Sequence, residues 1–332
     1  MEPARHLRAV EGGAASRRRL RRVAIPTPAA RRVNRSEGAF DDALGWLLSA
    51  ARLVAPRQIG ALEDEIEAKL ARLPTPLNEF GYDPWGFSPH AFRRPLLMLA
   101  LLYRYYFRVE MRGTEHFPEG RFLLIANHAG QLPLDGAMLI TGCVLEPDPP
   151  RLLRGMAEYW MPTLPFVGTT GVRIGSVVGT PKNCEDLLRR DEAVIAFPEG
   201  VRGLNKTFAK RYQLQRFGLG FLRLALATDT PILPTVIIGS EEQAPAFTSI
   251  GPLARLIGAP AFPVTPTFPL LGPLGLLPLP VKYHVEIGPP MHFTGNPNDE
   301  DAVIEGMVQQ VKREMTSMID RGLRSRSGVF TS

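Results

Sequence analysis

His128 and Asp135 stand seven positions apart in the stretch NHAGQLPLD, directly after the apolar run RFLLIAN (121–127). A run of that kind reads as a strand, which puts His128 at its C-terminal edge. In open α/β sheets that edge is where ligands sit. A neutral imidazole there can take a proton from a hydroxyl near neutral pH. It needs a carboxylate to fix its tautomer and to stabilise the imidazolium. Asp135 is the only carboxylate between Arg121 and Leu145, and Gly130 and Pro133 let the intervening loop fold back. Taken alone, the two residues could equally be a loop histidine and a helix-capping aspartate.

A second cluster, AFPEGVRGLNKTFAKRYQLQR (196–216), gives the pair something to work with. The run EAVIAF (192–197) reads as another strand and delivers Glu199 and Gly200 to the same edge as His128. No acid occurs from Val201 to Thr228, whereas Arg202, Lys206, Lys210, Arg211 and Arg216 are all basic. Such a concentration suits a phosphate-bearing ligand, with a solvated charged face as the alternative for Lys206 or Arg211 alone. The tetrapeptide FPEG also occurs at 117–120, but there it precedes a strand, so Glu119 is expected only to turn the chain while Glu199 faces the cleft.

The elements that must position these residues follow from the hydrophobic rhythm. Short apolar runs at 121–127, 192–197, 231–239 and 282–288 alternate with helical stretches at 136–146, 181–190 and 213–228. A last helix is expected over 298–321, capped by Asn298 and followed by acids at its favourable end. The alternation predicts an α/β domain with a mixed, mostly parallel central sheet flanked by helices. An N-terminal helical segment precedes it: one or two helices over 39–72, a turn-rich connector at 74–89 and a helix over 92–107.

The predicted organisation is therefore a disordered Arg-rich tail (1–38), a helical segment suited to a membrane interface or to the core (39–107), the main domain (108–322) and a disordered tail (323–332). The net charge of +6 resides in the first tail, where ten arginines against three acids give +7 and leave the body at −1. A neutral body without a basic-aromatic platform argues against a specific nucleic-acid partner. The tail could adhere to anionic lipid or be a solvated arm, and it has some look of a transit peptide. Residues 256–281 carry no charge but seven prolines, so they cannot cross a bilayer as a helix and are expected to form an extended apolar cover.

Two cysteines, Cys143 and Cys184, argue against a disulfide scaffold or a zinc site, and the six histidines are scattered, so no metal is expected. There is no Gly-x-Ser-x-Gly elbow, which disfavours a serine hydrolase. No cofactor is implied. The absence of a secretory segment near the start makes a reducing, cytosolic setting the default.

NHAGQLPLD, FPEGVRG and PILPTVIIG, in this order, resemble the lysophospholipid and glycerophosphate acyltransferase family over about residues 108–290. The resemblance implies a glycerolipid-acyltransferase-like fold and a transfer of a fatty acyl group from acyl-CoA or acyl carrier protein to a lipid hydroxyl. His128 then resembles the general base and Asp135 its partner, with no covalent intermediate. Glu199, Gly200 and Arg202 resemble the acceptor-binding motif, Arg216 a phosphate contact and Pro234 part of the last motif. Asn127, Lys206 and Lys210 accompany them as substrate-binding candidates. Arg173 in GVRIGS falls in the place of a further arginine block. The family spacing is His-x4-Asp, whereas six residues separate the pair here, so a bulged loop is expected to preserve the dyad. The implied acceptor is a lysophospholipid such as 1-acylglycerol-3-phosphate. Diacylglycerol, a long-chain alcohol, or an inactive lipid-surface binder remain as alternatives. The implied place of work is the cytoplasmic side of a membrane, peripherally bound.

Overall fold

A computed structural model describes residues 35–129, 134–157, 171–204, 206–249 and 263–330. The N-terminal tail up to residue 34 and the start of the Pro/Leu segment, 256–262, lie outside the described residues.

Three helices come first: α1 (Arg35–Val54), α2 (Pro56–Ala71) and α3 (Pro89–Leu101). In α2 the buried residues Ile59, Leu62, Ile66 and Leu70 recur every three or four positions, the stripe that lets a helix lie on a core. α3 starts where Ser88 accepts a hydrogen bond from the Ala91 amide and Pro89 fits the first turn. The connector before it is held from inside. The Asp83 carboxylate accepts from the Trp85 and Phe87 amides and pairs with Arg154, which is fully buried and also reaches Glu192 at 2.6 Å.

The sheet follows. Its strands are β1 (Glu110–Arg112), β2 (Phe122–Ala126), β3 (Leu153–Ala157), β4 (Val177–Val178), β5 (Ala193–Ala196) and β6 (Ile232–Ile238), with β9 (His284–Ile287). A two-stranded hairpin, β7 (Thr248–Ser249) with β8 (Pro263–Val264), stands apart. Among the described residues the main sheet has seven strands in the order β1-β9-β6-β2-β5-β3-β4. β2 to β6 run parallel, whereas β9 is antiparallel to β6 and carries β1 alongside it. β2 and β6 are buried at every position, as central strands covered on both faces must be. Side chains of β2 alternate between two cores. Phe122, Leu124 and Ala126 face α2, α3 and α4 (Leu134–Leu145). Leu123 and Ile125 face α5 (Pro181–Arg189), α7 (Gly220–Thr228) and α8 (Asp301–Ser325). A one-turn helix, α6 (Val201–Leu204), follows β5.

In the main sheet three strands differ from the sequence expectation by being present at all, β1, β3 and β4, and the short pair β7 and β8 was not expected either. Residues 213–219 were expected to open a helix, yet α7 begins only at Gly220. The amides of Gln215 and Gly218 point instead to Glu199 and to the Pro198 carbonyl. The last helix starts at Asp301 rather than at Asn298, with Glu300 before it and no side chain capping it; the Asn298 amide donates to the Asn296 side chain in the turn that precedes it. The two ends of the predicted domain plan also shift. α1 begins at Arg35, inside the expected N-terminal tail. Residues 323–330, expected as a disordered tail, are tied down. α8 runs to Ser325, Arg326 pairs with Glu242 through both terminal nitrogens at 2.6 Å, and the Val329 carbonyl accepts from Lys282.

Candidate active site

Backbone geometry at the ends of β2 and β5 delivers the two clusters to one place. At the end of β2, Asn127 locks the strand to its neighbour: its side-chain amide donates to the Ile237 carbonyl at 3.0 Å and accepts from the Ile237 amide at 2.8 Å. Both ends of Asn127 are thus taken up inside the sheet, which leaves it nothing to offer a substrate.

The next residue, His128, is 8% exposed, and its Nδ1 lies 2.7 Å from Asp135 Oδ2. The same oxygen accepts from the Ala129 amide at 2.9 Å, and Oδ1 accepts from the Gly136 amide at 2.7 Å. A carboxylate that accepts two amides acts as an acceptor toward the ring as well, so Nδ1 donates and Nε2 is left bare. The imidazole also stacks on Phe197, with centroids 4.1 Å apart and planes at 21°. The longer His–Asp spacing therefore does not separate the two side chains. The inserted loop positions, 130–133, lie outside the described residues.

Glu199 does not face the cleft as expected. It is 1% exposed, and it accepts from the His128 amide at 3.2 Å and from the Gln215 amide at 2.7 Å. Lys206 lies 3.3 Å from the same carboxylate and 2.9 Å from Glu241. Lys206 is thus neither a solvated cation nor a free phosphate ligand; it is buried between two acids. Burial pushes the Glu241 carboxyl above the usual carboxylate range, and Lys206 beside it opposes that rise. The two glycines of the segment have steric reasons. Gly200 adopts φ +56°, a left-handed turn. A side chain at Gly203 would come within 2.8 Å of the His128 carbonyl, so only glycine lets α6 approach the histidine loop this closely.

Arg202, Lys210 and Arg216 are exposed, and among the described residues none of them is in an ion pair. Arg202 lies against the Arg216 carbonyl at 3.4 Å, and the two adjoin Gly203 and Gln215, which meet the His128 carbonyl and Glu199, so Arg202 and Arg216 stand on the rim of the site. Arg173 is not with them; it lines a separate cavity beside the N-terminal helices. At the other FPEG copy Glu119 is exposed, and the carbonyls of Pro118, Glu119 and Gly120 all accept from Arg151. Phe197, Glu241 as the buried partner of Lys206, and the Gln215 amide are the parts that the sequence did not announce. The one available signal was that Phe197 precedes Glu199 at a strand end.

Both thiols are buried, and burial pushes the Cys143 thiol up to about 12 and that of Cys184 to about 11. Neither should react with a thiol-specific disulfide reagent near neutral pH in the folded protein, and both should react after denaturation. Rapid labelling of the native chain would contradict the described core. Among the described residues no cluster could hold a metal ion, and no helix is long and apolar enough to cross a membrane.

Comparison with known proteins bears on the same region. A family model described as Acyltransferase matches residues 108–238. An uncharacterized protein of Mycobacterium tuberculosis is 40% identical over 260 residues, covering 76% of this chain and 72% of its own length. Human 1-acyl-sn-glycerol-3-phosphate acyltransferase alpha is 31% identical over 153 residues, covering 44% of this chain and 51% of the human one. The crystal structure of the 1-acyl-sn-glycerophosphate acyltransferase PlsC from Thermotoga maritima superposes with a TM-score of 0.44 at 18% identity, covering 72% of this chain and 87% of that one.

Proposed function

Because the chain belongs to the acyltransferase family, we propose that it moves a fatty acyl group from an acyl thioester to the free hydroxyl of 1-acylglycerol-3-phosphate, with His128 as general base. The observation that carries the reading is the 2.7 Å contact between His128 Nδ1 and Asp135, which leaves Nε2 as the ring nitrogen able to accept a proton. Nε2 takes the hydroxyl proton as the oxygen attacks the thioester carbonyl, and Asp135 stabilises the imidazolium that forms. The imidazolium then returns the proton to the departing thiolate. The amides of His128, Ala129, Gly200 and Gly203 already have internal acceptors, so the donors for the oxyanion come from elsewhere on the rim. Arg202, Arg216 and Lys210 are the cations free to meet the acceptor phosphate. Acyl-CoA or acyl carrier protein supplies the acyl group.

The work takes place at a lipid surface. Leu270, Leu271, Leu274 and Leu277 are all more than half exposed in the charge-free segment, and Phe247 is 62% exposed. Such apolar surface suits peripheral docking on a bilayer from which the acceptor is drawn.

The test is transfer of a labelled acyl group from acyl-CoA to a panel of 1-acylglycerol-3-phosphate, diacylglycerol and a long-chain alcohol. Label is expected in phosphatidic acid. Transfer confined to the neutral acceptors would overturn the assignment of the acceptor. No transfer from acyl-CoA or from acyl carrier protein would overturn the reaction.

A further inference from the structure

A cavity of about 620 Å³ lies between α1, α2, the start of α3 and the segment at 173–174, away from His128 and its partners. Among the described residues that line it, four arginines (Arg52, Arg93, Arg94, Arg173) stand against one acid, Glu63. Arg52 pairs with Glu63, and Arg93 reaches Glu67 at 3.4 Å. The guanidinium groups of Arg94 and Arg173 have no partner among the described residues. Leu48, Ile66, Leu97 and Ile174 complete the wall with apolar surface. Guanidinium forks over an apolar floor match an anionic head attached to acyl-glycerol, since arginine binds phosphate oxygens in pairs. The size falls within the range of small-molecule sites.

The rim argues for a lipid over a soluble nucleotide. Ser49 of α1 lines the cavity, and Trp46 and Leu53, three residues before and four after it, stand on the adjoining turns. They are 71% and 86% exposed, so the cavity opens beside an aromatic and aliphatic edge suited to the interfacial layer of a bilayer. Of the cavity's arginines only Arg173 lies within residues 108–238, where the family model matches.

We propose that this cavity binds the phosphate of an anionic glycerophospholipid that is neither acceptor nor product, and so fixes the protein on negatively charged membrane. Binding does not depend on the transfer chemistry and is measured without turnover.

The probe is sedimentation with vesicles of phosphatidylcholine alone or doped with phosphatidylglycerol, at two salt concentrations. The wild-type chain is expected to prefer the doped vesicles, less so at high salt. R93Q/R94Q is expected to lose about 30-fold of that preference, and R94Q alone about fivefold, at roughly 1 kcal/mol per arginine. Arg94 is exposed, so the single variant keeps its fold and the test stands even if the double variant does not. R202Q/R216Q, on the active-site rim, should retain the preference. Soluble dihexanoyl-phosphatidylglycerol should compete with the vesicles, and free CoA should not. The proposal is overturned if R93Q/R94Q loses no more than R313Q/R324Q, neutralised on α8, or if R202Q/R216Q is the variant that loses the preference. Competition by CoA alone would reassign the cavity to a nucleotide phosphate and overturn it equally.

Discussion

His128→Ala is expected to lower kcat/KM for acyl transfer by about 10²–10⁴-fold, the usual contribution of a positioned general base. The chain should still fold, because the imidazole is a small part of the contacts at the end of β2, and the strand itself is held by the Asn127 lock. Asp135→Asn makes the complementary point. It preserves shape but brings an amide NH₂ into a site where His128, Ala129 and Gly136 all present donors. The ring is then free to take the tautomer that carries its proton on Nε2, and kcat should fall by orders of magnitude with little change in KM. Steady-state kinetics beside thermal unfolding of both variants checks this. Activity within a few-fold of wild type in His128→Ala, with the fold intact, would remove the imidazole from the chemistry.

Lys206→Met is expected to destabilise the protein by about 3–5 kcal/mol, the effect of removing one partner from a buried ion pair. The side chains of Lys206, Glu199 and Glu241 are 4%, 0% and 4% exposed, so the two acids would be left facing each other without a cation. The loss should depend on pH in a determined direction. Glu241 already has its folded-state carboxyl held above the ordinary value of 4.5, chiefly by burial, and without Lys206 it would rise further. A group of that kind lowers stability as pH rises from its unfolded value through its folded one. The gap between variant and wild type should therefore be narrow near pH 4.5 and widen toward neutrality. Urea denaturation at several pH values measures it. A neutral-pH difference below about 1 kcal/mol would mean that Lys206 is solvated, as exposed pairs of such small worth are.

The strands that lie deepest were the legible ones. FLLIA is apolar throughout and ILPTVII is apolar but for the buried Thr235, because both their faces are covered, and such runs stand out in any sequence. β3 was not legible, because Arg154 and Gly155 break its pattern. A buried arginine is tolerated there only because Asp83 and Glu192, 71 and 38 residues away in the chain, close around it. Likewise β1 and β4, three and two residues long, carry too little pattern to register. In the site, the His–Asp pair was legible because its partners lie in one loop. Glu199 was found but misdirected: the donors it accepts from are main-chain amides, which have no letter in the sequence. Lys206 read as one more charge in a basic run, since Glu241 lies 35 residues further on.

The grip of Glu199 on both the His128 and Gln215 amides makes the two signature segments one mechanical part. Anyone grafting 196–216 from a relative to alter acceptor choice should carry 127–135 with it, and Glu241 besides. A chimera that exchanges one without the other would carry every reactive group and still hold the imidazole out of true.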